Sequence, residues 1–450
     1  MLMKKAILFF ITLLGTGFYS QAQQTFSLSL QQAIDLAKEN RPALLLARKD
    51  VESSMLATKQ TRAGFTPTLS FDADFRYNTI LQTIIVPDFN NPSLDARRAV
   101  QFGTPLQAAA GLTLNQAIID PSKRENIRSS EVNQEIALNT DKLTEVDLVE
   151  AVTASYYQVL LSEAIFGYSA SSYIRSEALL KDLENRFKEQ RALPTDVSTA
   201  LIAKKNAELT KQIDQENILL NIEYLLVQIG LSNVNPEDVV LTDGLSAMIK
   251  SMKFDSGLES DPSLRPEYRE TVLNQKLAQT NAEFERKSTM PTLDLIGYLG
   301  ANGFGDRQSN IIDVTKNWFG LSYLGLQFSV PFLDLTRSSR ISIQTIAREK
   351  AAIQEKAQEA QIKYEVKLAA TKLSQAEMAL DIQAANLEIA KSNLGILTDR
   401  FDKGRSLLSD VIDAENLLKQ AERDQLQAIY DVLTAKLNLK KAKGTLVEMH

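Results

Sequence analysis

Two carboxylates, Asp410 and Asp413, stand three residues apart just after a turn signal in the stretch RFDKGRSLLSDVIDAENLL, residues 400–418. On a helix that spacing puts both on one face. Such a pair could act as an acid/base couple, although no pocket signature flanks it. Alternatively, two acids near a helix start oppose the positive end of its dipole, for typically 0.3–1 kcal/mol each. Little else in the chain offers chemistry. There is no cysteine, and the only histidine is His450. Disulfides, thiolate nucleophiles, a lipid-modified cysteine, a Ser-His-Asp triad and multi-histidine metal sites are therefore excluded. No cofactor or metal is expected, and the chain reads as a non-enzyme.

The elements around these acids follow from composition and pattern. The chain has 450 residues, 44% of them hydrophobic, with only 18 glycines and 12 prolines, which suggests long uninterrupted helices. Its formal charge of -6 gives no support for nucleic-acid binding. The start, MLMKKAILFFITLLGTGFYSQA, has two lysines, a short apolar run and small residues at Ser20 and Ala22, and reads as a signal peptide over 1–22. Its apolar run is too short to span a bilayer, and no later run of about 18 apolar residues appears. If the exported chain enters a membrane, it must do so as a closed barrel.

Self-similarity organises the rest. Arg41-Pro42 and Pro67-Thr68-Leu69 recur 224 residues later as Arg265-Pro266 and Pro291-Thr292-Leu293. From Gly111-Leu112 onward the offset is 214: to Gly325-Leu326, from Arg186-Phe187 to Arg400-Phe401, and from Gly230 to Gly444. The reading is a tandem duplication, with repeats over 23–230 and 263–445, a linker over 231–262 rich in Asn, Asp, Ser and Gly, and a tail over 446–450. Each repeat reads helix, strand, loop, strand, long helix, turn, helix.

Apolar or small residues recur in alternating steps of four and three at Ile362, Val366, Ala369, Leu373, Ala376, Leu380, Leu387, Ala390, Leu394, Leu397 and Phe401, with Gln383 the one polar intruder. Shifted by 214, the first repeat gives Leu148, Val152, Ser155, Val159, Ser162, Phe166, Ser169, Tyr173, Ser176, Leu180, Leu183 and Phe187. This is a heptad seam in which large residues alternate with small ones, allowing helix backbones to approach. An ordinary four-helix bundle would use such a seam too. However, the pattern from Pro121, after an Asp120 cap, runs to about Phe187, roughly 100 Å of helix at 1.5 Å per residue. That length suits a tube or stalk.

Residues 68–78, TLSFDADFRYN, alternate strictly, with Leu69, Phe71, Ala73, Phe75 and Tyr77 on one face and Ser70, Asp72, Asp74 and Arg76 on the other. The alternation fits a soluble sheet on a core, or a membrane strand that is apolar toward lipid and polar toward a lumen. Residues 107–116, 293–301 and 318–330 are the other candidate strands, with loops over 79–105 and 302–317. Trp318, the only tryptophan, and Phe319 would suit an interfacial girdle. Four strands cannot close a barrel, because the smallest single-chain barrels need about eight, so oligomerisation is required. Three chains would give twelve strands.

With these features in place, the chain resembles the TolC-type outer-membrane efflux channels. The resemblance is carried by LSLQQAIDLAKENRPAL (28–44), RPEY (265–268), both Pro-Thr-Leu joints, both Gly-Leu strands, and FDKGRSLLSDVIDAENLL with its counterpart FKEQRALPTDVSTALI (187–202). It implies a mainly α fold with a small β part: long antiparallel coiled-coil hairpins forming an α-barrel in the periplasm, and four strands per chain in a twelve-stranded trimeric outer-membrane β-barrel. It implies that 231–262 belongs to an equatorial collar. It further implies a homotrimer set in outer-membrane lipid that meets a periplasmic adaptor and an inner-membrane RND-type or ABC-type pump, as the passive exit duct of tripartite efflux or type I secretion. A soluble periplasmic coiled-coil adaptor or scaffold is the alternative, with the strands as a small aqueous sheet.

The same resemblance gives the acids a third role: Asp410 and Asp413 would project into the lumen at the periplasmic tip as two stacked rings that attract cations. Only Asp196 has a place in the first repeat, because Thr199 stands where Asp413 would be. The implied gate latch involves Asp196, Phe401 and Arg405. Here the pattern departs from the family, in which a tyrosine often occupies the Phe401 position and the arginine lies one place later. Adaptor contact falls to the turns, at Leu193, Pro194, Gly404, Leu407 and Leu408. Gly404 should end the first helix and Ser406 or Ser409 should cap the second.

Overall fold

The computed structural model describes residues 26–87, 97–245, 247–248, 261–306, 314 and 318–447. The signal peptide expected over 1–22 lies outside these, as do residues 249–260 of the linker and 448–450 of the tail. In chain order the elements are β1 (Phe26–Leu28), α1 (Leu30–Asn40), α2 (Pro42–Arg62), β2 (Thr68–Tyr77), β3 (Gln82–Pro87), β4 (Arg97–Phe102), β5 (Leu106–Ile119), α3 (Pro121–Lys188), α4 (Pro194–Ile229), β6 (Val239–Leu241), α5 (Pro266–Lys287), β7 (Thr292–Gly305), β8 (Trp318–Ser329), α6 (Arg337–Asp402) and α7 (Leu408–Lys443).

Equivalent elements share their limits at the offset read from sequence. α4 and α7 both begin and end 214 residues apart, and α3 and α6 end 214 apart. Their stops share one chemistry: Gly230 and Gly444 both take positive φ, 86° and 75°, and each donates its N–H back into the last turn. The start of α3 is fixed as expected, since Asp120 Oδ1 accepts from the N–H groups of Ser122 and Lys123, both at 3.0 Å.

Contacts nevertheless divide the chain into two compact units, and neither follows chain order. Among the described residues, one unit comprises 26–46, those of 143–265 and 362–447; the other comprises those of 47–142 and 266–361. Each draws on residues from both expected repeats.

In the first unit most of the heptad residues lie in a buried stripe, although Phe187, at the end of α3, is 46% exposed. Leu148, Val152, Ser155, Val159, Ser162, Ser169, Ser176, Leu180 and Leu183 of α3 are buried, as are Ile362, Val366, Ala369, Leu373, Leu387 and Ala390 of α6. The serines do not leave polar atoms stranded: Ser155, Ser162 and Ser169 donate their hydroxyls to the carbonyls three residues earlier, at 2.8–3.0 Å. The linker contributes β6, which pairs in parallel with β1, Phe26 opposite Val239 and Leu28 opposite Leu241. The fully buried Tyr156 hydroxyl joins this strand pair, 3.0 Å from Leu28 O and 2.7 Å from Asp243 Oδ2.

In the second unit the four expected strands form one antiparallel sheet in the order β2-β5-β7-β8, leaving β2 and β8 as its edges. Register carries the alternation of β2 across all four strands: Phe71 lies opposite Leu112, Leu112 opposite Leu299, and Leu299 opposite Ser322. One face thus presents Leu69, Phe71, Phe75, Tyr77, Leu299, Leu324, Leu326 and Phe328, all exposed in the single chain. The expected loop over 79–105 is corrected: it contains a second, separate sheet, the β3–β4 hairpin, with Ile84 opposite Val100. No helix among the described residues is long and apolar enough to cross a membrane.

Candidate functional site

The paired acids lie at the turn between α6 and α7, and the equivalent turn joins α3 to α4. Both helices stop by the same device. In the second turn Gly404, at φ 69°, donates to Phe401 O at 2.9 Å and Arg405 donates to Arg400 O at 2.8 Å. In the first, Gln190, at φ 62°, donates to Phe187 O at 2.9 Å and Arg191 to Arg186 O at 2.7 Å. These paired bonds form the Schellman motif, which needs a left-handed residue at its centre.

Both helices also restart alike, and the expected serine cap is corrected here. The N-cap residues are Leu193 and Leu407, whose side chains accept nothing. Ser409 lies inside α7, and the Ser406 hydroxyl instead crosses the turn to Leu397 O at 3.1 Å. With no acceptor at the cap, the acid three residues on reaches back to it: the Leu193 N–H donates to Asp196 Oδ2 at 3.1 Å, and the Leu407 N–H donates to Asp410 Oδ2 at 3.0 Å. This is the return half of a capping box, with the carboxylate also at the positive end of the helix dipole.

Beyond the cap the turns differ. Asp413 is exposed and has no hydrogen bond or ion pair among the described residues. Thr199, in its place on α4, spends its hydroxyl on Thr195 O at 2.8 Å. Leu193, Leu407, Pro194 and Gly404 are exposed, whereas Leu408 is buried with Leu180, Leu183 and Ala200, with Phe401 against them.

Asp196, Phe401 and Arg405 are not brought together. Asp196 caps its own helix. Arg405 is exposed and without an ion pair among the described residues. Phe401 lies beneath a residue that sequence reasoning passed over, Arg186, whose guanidinium carbon is 5.2 Å from the ring centroid. Arg186 also pairs with Asp402 across the two hairpins at 2.6 Å, and with Asp182 on its own helix at 2.7 Å. Arg186 and Arg400 are equivalent in sequence, but Lys188 stands in the place of Asp402. That single charge difference was the available signal.

Four helices enclose a cavity of about 610 Å³ beside this pair, with Leu179, Ile202, Leu394 and Phe401 among its lining residues. Arg175 of α3 also lines it and binds Glu415 of α7 with both carboxylate oxygens, at 2.9 and 3.0 Å. Glu422 lies 3.6 Å from the same guanidinium and is 4% exposed. Burial pushes the Glu422 carboxyl above its usual range, against the pull of Arg175.

The sequence matches the family described as "Outer membrane efflux protein" over residues 33–216 and 259–445. It is 24% identical over 458 aligned residues to the outer membrane protein TolC of Escherichia coli strain K12, covering 99% of this chain and 87% of that protein. The fold is similar to that of CusC, whose structures concern transmembrane channel formation, with a TM-score of 0.75 at 15% identity over 92% of this chain and 91% of that one. It is also similar to the outer membrane protein VceC of Vibrio cholerae, with a TM-score of 0.70 at 16% identity over 92% of this chain and 96% of that one.

Proposed function

This chain belongs to the outer membrane efflux protein family, and from that premise we infer that it is an outer-membrane efflux channel, a passive exit duct that receives cargo and transforms none of it. The observation that carries this reading is the sheet: four strands, two open edges, and an apolar face exposed along all four. Fully burying one such Leu or Phe side chain is worth about 1.5–3 kcal/mol, so eight of them in water would be strongly unfavourable. Lipid removes that cost. Open edges β2 and β8 are templates for further pairing, and closing a barrel with identical neighbours satisfies both. Three chains supply twelve strands, the homotrimer expected from sequence.

In such a trimer the helical hairpins make the periplasmic tunnel, and Asp410 and Asp413 form two rings of three carboxylates at its tip. One oxygen of Asp410 is engaged at the cap, and Asp413 is unengaged, so Asp413 dominates the field in the opening. Clustered like charges gain most from a multivalent counter-ion, which would block the mouth. Arg186, tied to Asp402 and stacked on Phe401, holds one hairpin to the other and is the link that opening must break. The exposed turn residues Leu193, Pro194, Gly404 and Leu407 meet a periplasmic adaptor, which couples the duct to an RND-type or ABC-type inner-membrane pump. A soluble adaptor or scaffold is disfavoured, since it would leave the apolar sheet face in water.

Fractionation and single-channel recording test the reading together. The chain should stay with the outer membrane through salt and carbonate washing, need detergent for purification, run as a trimer and conduct in a planar bilayer. A water-soluble monomer would end it.

A further inference from the structure

The face of the sheet opposite the apolar one is not uniformly polar. Register places Ser70, Thr113, Tyr298 and Tyr323 in one row across the strands, and Asp72, Gly111, Gly300 and Leu321 in the next. A surface lining water should be polar throughout, yet β7 and β8 turn aromatic rings to it.

Tyr298 does more than occupy its row. It extends from β7 over the two glycines of the next row: a Cβ on Gly111 would come within 2.5 Å of its hydroxyl, and one on Gly300 within 2.6 Å. Its ring end therefore covers both glycines. Tyr323 stacks with it, with centroids 5.9 Å apart and planes 21° apart, and is 53% exposed. At the hydroxyl end of Tyr298 stands Asp72, the cross-strand partner of Gly111. Asp72 accepts hydroxyl hydrogens from Ser70 at 3.1 Å and Thr113 at 3.4 Å, and pairs with no cation among the described residues. Its neighbour Asp74, in contrast, is taken by Arg76 at 2.7 Å.

We propose that Tyr298, Tyr323 and Asp72 form a luminal shelf that binds planar aromatic cations, with the ligand ring on the tyrosine faces and its positive charge toward Asp72. This rests on the duct reading, which turns this face to the lumen. Electron-rich ring faces attract cations and stack with flat rings, and a carboxylate at the shelf edge adds charge attraction. A neutral aromatic lacks the second interaction and an inorganic cation lacks the first.

The test uses the purified full chain in planar bilayers, with ethidium as the probe added on the barrel side. Wild-type channels should show current interruptions whose mean duration falls by about tenfold in Tyr323→Ala and in Asp72→Asn. Tyr298→Phe keeps the ring and should match wild type. Interruptions of wild-type duration in both Tyr323→Ala and Asp72→Asn would overturn the proposal. If only Tyr298→Ala shortens them, Tyr298 merely fills the glycine hollow, and the proposal is equally overturned. A wild-type protein that conducts without any ethidium interruption sinks the shelf and leaves the duct standing, whereas one that never conducts sinks the duct as well.

Discussion

The two hairpin turns of this chain are built on one backbone plan and carry different side chains on it. In each, a left-handed residue stops the first helix and an acid caps the second through a leucine N–H. The α3–α4 turn has Gln190 at the strained position and Thr199 one turn further on; the α6–α7 turn has Gly404 and Asp413. Charges between them differ as well. Arg191 is paired with Glu189 at 3.2 Å, while the equivalent Arg405 has Lys403 in the place of that acid, and Lys403 turns to Asp399. The backbone is shared and the surface chemistry diverges: geometry makes a hairpin, and in the proposed channel charge decides which hairpin faces the mouth.

Exchanging Asp413 and Thr199 would break that separation most severely. Asp413→Thr should weaken block of the bilayer-reconstituted channel by a trivalent cation about tenfold or more, because three uncompensated carboxylates leave one constriction together. Thr199→Asp in that background should not restore it if the α3–α4 turn lies off the axis. Full restoration would show that both turns contribute equally to the mouth, and the assigned asymmetry would be wrong.

The next effect is on opening. Arg186→Ala removes its ion pairs to Asp182 and Asp402 and one cation–π contact; the Asp402 pair and the ring contact, which join the hairpins, are together worth about 1 kcal/mol, so the open probability should rise roughly fivefold. Arg400→Ala, at the equivalent place, should leave gating as it was, since the Arg400 side chain has no hydrogen bond or ion pair among the described residues. Equal effects in single-channel records would remove Arg186 from the gate.

How much of this was legible in sequence depends on the range of the interaction concerned. The seam, the Asp120 cap and the alternation of β2 are local patterns, and each appears where the residues place it. The β3 strand was missed because Thr83-Ile84-Ile85-Val86 is β-branched without alternating, so neither period registers, and the prolines around it read as loop. Pairing of β1 with β6 joins residues more than two hundred positions apart and leaves no turn signal. Ser406 was taken for a cap because its type suits one; the carbonyl that captures its hydroxyl, at Leu397, lies on the preceding helix. Arg186 escaped notice for a related reason: its partner Asp402 belongs to the other repeat, and reading the repeats in parallel compares such residues without bringing them together.

Caps should expose what the turns share. Asp196→Ala and Asp410→Ala each remove a carboxylate from a leucine N–H at a helix start, and each should cost about 1 kcal/mol in chemical denaturation of the trimer. Near-equal losses, with altered cation block only for Asp410→Ala, would assign capping to both turns and ion binding to one. A loss confined to Asp410→Ala would mean the first turn is held by something other than its cap.

The smallest difference lies in the left-handed residue itself. Gly404 has open space where a Cβ would sit, with no atom within 4 Å, so Gly404→Gln meets only the backbone penalty of a side chain at φ 69°. That penalty is about 1 kcal/mol. The reverse change, Gln190→Gly, relieves the same strain but gives the unfolded chain more freedom, which offsets about 0.5–1 kcal/mol of the gain. Gly404→Gln in turn restricts the unfolded chain by the same amount, so the two substitutions should shift stability in opposite directions by similar amounts, each less than about 0.5 kcal/mol. Shifts of the same sign in the denaturation midpoint, or a loss of about 1 kcal/mol or more for Gly404→Gln alone, would mean that the two turns hold their left-handed residue by different contacts.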